Sequence, residues 1–155
     1  MDCAMPNRMT RTKLGKLLDA LNRGCPDRFL RILRTFFSSI VYHTAGDLER
    51  HYQNIMYVVC NLLGVWSQVE MCTSKGRIDM VAATKDFRYI FEFKLNKPVA
   101  LAQSQILTRE YTAPFLNGEG RVFSLAVTFK DRNINSWIIT EYPDINRHYE
   151  SRQTK

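Results

Sequence analysis

Apolar residues recur at helical spacing through the first sixty residues and then give way to strand-like runs. Leu14, Leu17, Leu18 and Leu21 stand three and four apart, which predicts a short amphipathic helix over 13–22, stopped by Gly24. Pro26 and Asp27 suit the first turn of a second helix. Its apolar face is Phe29, Leu30, Leu33, Phe36, Phe37 and Ile40. Arg28, Arg31 and Arg34 stripe another face, read as solvated surface, with phosphate contact as the alternative. A third helix starts near Thr44, where Thr44 and Asp47 have capping-box spacing. It continues through Tyr52, Ile55, Met56, Val59, Leu62 and Leu63 and stops at Gly64.

Beyond Gly64 the period changes. Val65–Cys72 alternates in part, Arg77–Ala83 follows a polar turn at Gly76, and Phe87–Leu95 is rich in aromatic and β-branched residues. These predict three strands. Pro98 opens a helix that runs to about Tyr111 and ends before Pro114. Asn117–Gly120 reads as a loop, Val122–Phe129 as a central apolar strand and Trp137–Tyr142 as a last strand. Helices, three strands, a helix and two strands predict an α/β (α+β) fold with one mixed sheet. The expected organisation is a single domain over 1–155: a helical lead-in at 13–43, a core at about 44–142 and a polar tail at 143–155.

Composition narrows the class. The 155 residues are 45% hydrophobic and 12% aromatic, enough for a packed core and against disorder. No apolar run has the length of a membrane span, and the basic start carries no apolar segment of the secretory kind. The reading is a cytoplasmic chain. Cys3, Cys25, Cys60 and Cys72 form no Cys-x-x-Cys pair, and His43, His51 and His148 are scattered. Reduced thiols are expected, rather than a zinc site or a disulfide framework. The net charge of +7 is compatible with a polyanionic partner such as nucleic acid.

The candidate chemistry lies in the third strand. Side chains alternate across a strand, so Glu92 and Lys94 share one face while Phe91 and Phe93 take the other. An acid and a base amid apolar residues are costly to bury unless paired or bound to an ion. Asp79, on the preceding strand, can be brought beside Glu92 by a hairpin of this length. Two carboxylates at one place invite a hard divalent cation, Mg²⁺ or Mn²⁺. A surface Glu–Lys pair on a half-exposed sheet is the alternative.

Asp79 followed thirteen positions later by Glu92-Phe93-Lys94 resembles the Asp…Glu-x-Lys signature of the PD-(D/E)XK nuclease superfamily. The resemblance is to one branch, a small domain found in bacterial proteins behind an AAA-ATPase-like region. It is carried over about residues 27–142 by Ser39-Ile40-Val41-Tyr42, Glu49-Arg50-His51-Tyr52-Gln53, Leu62-Leu63-Gly64, Glu70 and Thr73–Asp79. It continues through Tyr89–Leu95, Gln105-Ile106, Tyr111 and Val127-Thr128-Phe129. The resemblance implies a restriction-endonuclease-like core and a Mg²⁺- or Mn²⁺-dependent nuclease acting on nucleic acid, with DNA as the expected substrate. It implies that Asp79, Glu92 and the Phe93 carbonyl bind metal and that Lys94 positions the attacking water. Glu49 would complete the acidic cluster or hold Lys94, beside Tyr52 and Gln53 on a polar helical face. Gln105, eleven residues past Lys94, would touch lysine, water or phosphate. Glu70 is read as a structural partner of Arg77, with a role behind the metal ligands as the alternative.

The chain departs from the branch at Gln103, where an apolar residue is usual, and at Arg109, where lysine is common. It contains no Gly-x-x-x-x-Gly-Lys-Ser/Thr phosphate loop, so an AAA-ATPase partner would be supplied from outside these residues. The second functional reading keeps the fold as a nucleic-acid-binding or regulatory module with weak or no catalysis. A third is a protein-interaction domain serving such an ATPase.

Overall fold

A computed structural model describes residues 12–39 and 48–143. Three helices come first: α1 (Lys13–Asn22), α2 (Pro26–Phe37) and α3 (Leu48–Leu62). They are followed by β1 (Trp66–Thr73), β2 (Gly76–Ala83) and β3 (Phe87–Leu95). Then come α4 (Val99–Thr108), the short α5 (Ala113–Leu116), β4 (Arg121–Lys130) and β5 (Asn133–Tyr142). The five strands form one mixed sheet in the order β1-β2-β3-β4-β5. All neighbours are antiparallel except β3 and β4, which run parallel with α4 in the crossover between them.

The predicted mixed sheet with flanking helices is therefore present. The α3 start signals at Thr44 and Asp47, and Ile40 of the second helix, lie outside the described residues. Two boundaries differ from expectation. Pro114 does not simply close a helix: it sits in the first turn of α5, where its missing N–H costs nothing. The last strand begins at Asn133 rather than Trp137, because Ile134 is a single apolar residue among Asn133, Asn135 and Ser136, too little to show a strand period.

The sheet is packed on both faces. Under α1–α3 lie Leu17, Leu21, Phe29, Leu30, Leu33, Phe37 and Met56 against Tyr89, Phe91, Phe93, Phe123 and Phe129 of β3 and β4. Tyr52 stacks flat on Phe129 with centroids 4.1 Å apart. The other face packs Ile78, Val81, Ile90, Val122 and Ala126 against Ala102 and Ile106 of α4 and against Tyr111. Period-two alternation of β3 thus sends its aromatics to the three-helix layer, as the sequence predicts, and frees the other face for Glu92 and Lys94. Thr12 caps α1 by accepting the Gly15 N–H at 2.9 Å. Gly24 ends that helix at a φ of 69°, and Phe87 packs where a Cβ would stand.

The arginine stripe of α2 is engaged at the surface: Arg28 meets Asp19, Arg31 meets Asp27, and Arg34 lies over the Trp137 ring. The expectation of reduced thiols holds for Cys60 and Cys72, which are free. Cys25 departs from it, being disulfide-bonded. No helix among the described residues is long and apolar enough to cross a membrane.

The β1–β2 ribbon breaks its alternation at one place. Val69 and Met80 pack towards the α1–α3 layer, whereas Met71 and Ile78 pack towards α4. Between them stand Glu70 and Asp79, which face each other by count but are absent from the pairing. Glu70 has a φ of 52°. The ribbon therefore turns over at the Glu70–Asp79 level. Pairing of β2 with β3 also stops there, since its last pair is Met80–Phe91. Asp79 alone in β2 has no cross-strand partner on either side.

Candidate active site

That interruption builds the site. Where β2 leaves β3, the edge of β3 has backbone groups that a continuing partner strand would satisfy. Side chains satisfy them instead. Asp79 Oδ2 accepts the Phe93 N–H at 2.8 Å, and Glu49 Oε2, reaching from α3, accepts the Leu95 N–H at 3.1 Å. On the β2 side, Gln53 Nε2 of α3 donates to the Asp79 carbonyl at 3.0 Å. In an extended strand the N–H and C=O of one residue point to the same edge. The Phe93 carbonyl therefore shares the edge on which Asp79 sits.

Glu92 and Lys94 project from β3 towards α4. Lys94 Nζ donates to Glu92 Oε1 at 2.6 Å. Glu92 is fully buried, and its other oxygen, Oε2, has no hydrogen-bond partner among the described residues. An ionised carboxylate with an unpartnered buried oxygen is expensive. Burial, and then the charge of Asp79, push Glu92 up to about 7 against the pull of Lys94. Burial also raises Asp79, although the Phe93 N–H and the charges of Lys94 and Arg77 work the other way. Burial alone would lower Lys94, but the Glu92 hydrogen bond and the charges of Glu92, Asp79 and Glu49 turn the net shift upward.

Asp79, Glu92 and Lys94 line a cleft of about 560 Å³ between the tip of the β1–β2 hairpin and α4. Gln105, Ser104, Thr108 and Leu101 form the α4 wall, with Arg77, Arg109 and Tyr111 completing the lining. Gln105 Nε2 donates to the Tyr111 hydroxyl at 3.3 Å. The sequence-predicted residues Asp79, Glu92, Lys94 and Gln105 thus meet at one cleft.

Of three further expectations, one is overturned. Glu49 lies outside the cleft lining and its carboxylate binds the Leu95 N–H of β3, yet its charge acts on Asp79, Glu92 and Lys94; the ion-pair partner of Lys94 is Glu92. Tyr52 is not part of a polar face, because it is fully buried in the aromatic core. Glu70 stands inside β1 and pairs with Arg77, as the sequence reading has it, and also with Arg50. The residue that sequence reasoning undervalued is Gln53. Its position one helical turn beyond Glu49 was the available signal.

The donor set near Asp79 has hard-cation character: two carboxylates and a backbone carbonyl. Among the described residues no three His, Cys, Asp or Glu side chains cluster as a metal cage. Mg²⁺ commonly takes only one or two carboxylates and leaves its remaining positions to water and phosphate. The residues present fit that habit, and the orphaned Glu92 Oε2 is the atom most in need of such a partner.

The mixed five-stranded sheet, with its acid–acid–lysine edge at an interrupted strand pair, defines a nuclease-like α/β domain. A family profile of the PD-(D/E)XK nuclease superfamily matches residues 47–137, and the chain belongs to that superfamily. Its members act on nucleic acid and generally use divalent metals. No curated protein and no solved structure matches the chain significantly.

Proposed function

We propose that this protein is a metal-dependent nuclease that hydrolyses phosphodiester bonds of DNA. The observation that carries the reading is the buried Glu92, which has an unpartnered Oε2 and shares with Asp79 a cleft that also holds a lysine. Structure alone has little use for a second carboxylate there, and the site raises its pKa accordingly. Asp79, Glu92 and the Phe93 carbonyl would hold Mg²⁺ or Mn²⁺. The bound cation would polarise the phosphoryl oxygen and lower the pKa of its water.

The chain's own groups do the rest. Asp79 is fixed by the Phe93 N–H, and its main chain by Gln53. Lys94, now donating to Glu92, would hold the attacking water or the phosphate charge were Glu92 to hold a cation. Glu49 fixes the β3 edge at Leu95 and adds negative charge near Lys94. Gln105, braced by Tyr111, presents its amide to water or phosphate from the α4 wall.

The second reading is a catalytically weak binding or regulatory module that partners an AAA-type ATPase. The closed Lys94–Glu92 pair favours it, because that lysine is occupied as it stands. The test is a cleavage panel on single-stranded, double-stranded and branched DNA with Mg²⁺ or Mn²⁺, alongside calorimetric metal titration. Cleavage that disappears in Asp79→Ala and Lys94→Ala supports the nuclease. An absence of both cleavage and metal binding, with salt-sensitive DNA binding retained, supports the module.

A further inference from the structure

The cleft contains three cationic side chains, and they differ in how firmly they are held. Lys94 is bound to Glu92 at 2.6 Å. Arg109 donates Nη1 to the Lys75 carbonyl at 2.9 Å and so ties the hairpin tip to the end of α4, a link reinforced by the Lys75–Glu110 ion pair. Arg77 is different. Among the described residues its ion-pair partner is Glu70, at 3.7 Å, with the arginine side chain 58% and the glutamate side chain 41% exposed, and its charge also acts on Asp79. An ion pair that long and that wet contributes little.

Glu70 is shared. Arg50, on α3, approaches the same Oε1, also at 3.7 Å. If Arg77 leaves, the carboxylate keeps a cation, so the exchange strands no charge. Glu70 also occupies a left-handed φ of 52°, where glycine or asparagine is usual. This is the level at which the ribbon turns over beside Asp79. The turn-over sets a carboxylate next to the one loosely held arginine of the cleft.

We propose that Arg77 grips a backbone phosphate of the strand bound in the cleft, and that Glu70 is the resting partner it exchanges for that phosphate. The proposal rests on the nuclease reading and names the contact that seats the substrate. A planar guanidinium meets two phosphate oxygens at once, a stronger and better-oriented bond than its present one. Glu70 competes with DNA for Arg77, so the two residues have opposite effects on binding.

The test is fluorescence anisotropy of the full chain with single-stranded and duplex oligonucleotides in EDTA, so that nothing is cleaved. Arg77→Gln should weaken binding roughly tenfold and reduce the slope of log affinity against log salt by about one. Glu70→Gln should tighten binding, an effect that misfolding cannot imitate. Arg77→Lys should fall between wild type and Arg77→Gln. The proposal is overturned if Arg77→Gln binds with wild-type affinity and slope, or if Glu70→Gln weakens binding as Arg77→Gln does. Those results with wild-type binding intact leave the nuclease reading standing. A wild-type protein that neither binds nor cleaves DNA ends both.

Discussion

The Asp79 carboxylate accepts the Phe93 N–H at 2.8 Å, taking the place of strand pairing that ends at Met80–Phe91. One side chain therefore serves the fold and the candidate chemistry, and two substitutions separate those duties. Asparagine at position 79 keeps an oxygen for the Phe93 N–H and removes the charge. Alanine leaves the N–H without its acceptor, which costs about 1–3 kcal/mol. Asp79→Asn should unfold in urea near wild type yet lose Mg²⁺ binding and cleavage. Asp79→Ala should lose both stability and cleavage. Equal destabilisation of the two variants, or metal binding retained by Asp79→Asn, contradicts this double role.

Glu92 makes stability depend on pH in an unusual direction. Its folded pKa lies at about 7, above the ordinary 4.5, so the native state holds the proton more tightly than the unfolded chain does. The stability this contributes is complete below pH 4.5 and is lost as pH rises through about 7. The full change is roughly 3 kcal/mol. Asp79, also raised, adds in the same sense, and Lys94 stays protonated throughout that window. In EDTA, wild type should become less stable to urea between pH 5 and pH 8. Glu92→Gln should flatten that fall, and Mg²⁺ should restore wild-type stability at pH 8. Parallel pH profiles for wild type and Glu92→Gln are the result that counts against this.

Gln53 reaches the site through the main chain. It is nearly buried, and its amide is the hydrogen-bond partner of the Asp79 carbonyl at 3.0 Å. Gln53→Ala should cost about 1 kcal/mol in unfolding experiments. It should also weaken Mg²⁺ binding roughly tenfold, as happens when the partner behind a metal ligand is lost. DNA affinity measured in EDTA should stay at the wild-type value, which distinguishes loosening of Asp79 from loss of substrate contact. A fall in DNA affinity as large as the fall in metal affinity refutes this assignment.

What the sequence reveals here follows from which signals are periodic. β3 is legible from Phe87 to Leu95, because its aromatics alternate with Ile90, Glu92 and Lys94 and the strand keeps that alternation. Asp79, Glu92, Lys94 and Gln105 are legible through motif spacing, and they converge on one cleft. The turn-over of the β1–β2 ribbon is not legible. Ile78 and Met80 are both apolar and both buried, so nothing in the pattern shows that they face opposite layers. Glu49 illustrates the same limit: its place on α3 is readable, but its bond to the Leu95 N–H depends on where β2 departs. Side chains that replace missing backbone partners become visible only once the gap is seen.

Gly76 fixes how closely the hairpin tip can approach the end of α4. A Cβ built there would stand 2.9 Å from the Tyr111 hydroxyl, and the residue has a φ of 152° that side-chain-bearing residues rarely adopt. Tyr111 has little room to retreat, being nearly fully buried among Ile78, Ala102 and Ile106. Its hydroxyl is also the group that Gln105 touches. Gly76→Ala should therefore destabilise the protein by about 1–3 kcal/mol. It should also move Gln105 and reduce kcat for cleavage more than it changes DNA affinity. Tyr111→Phe removes the hydroxyl that the new methyl would meet, so the double variant should recover the part of the lost stability that comes from that contact, while the cost of the φ of 152° remains. It should not recover the cleavage rate, because Gln105 would still lack its brace. Thermal unfolding and single-turnover cleavage on the two single variants and the double variant measure both effects. Simple additivity of the two substitutions in stability would show that Gly76 and Tyr111 do not constrain one another.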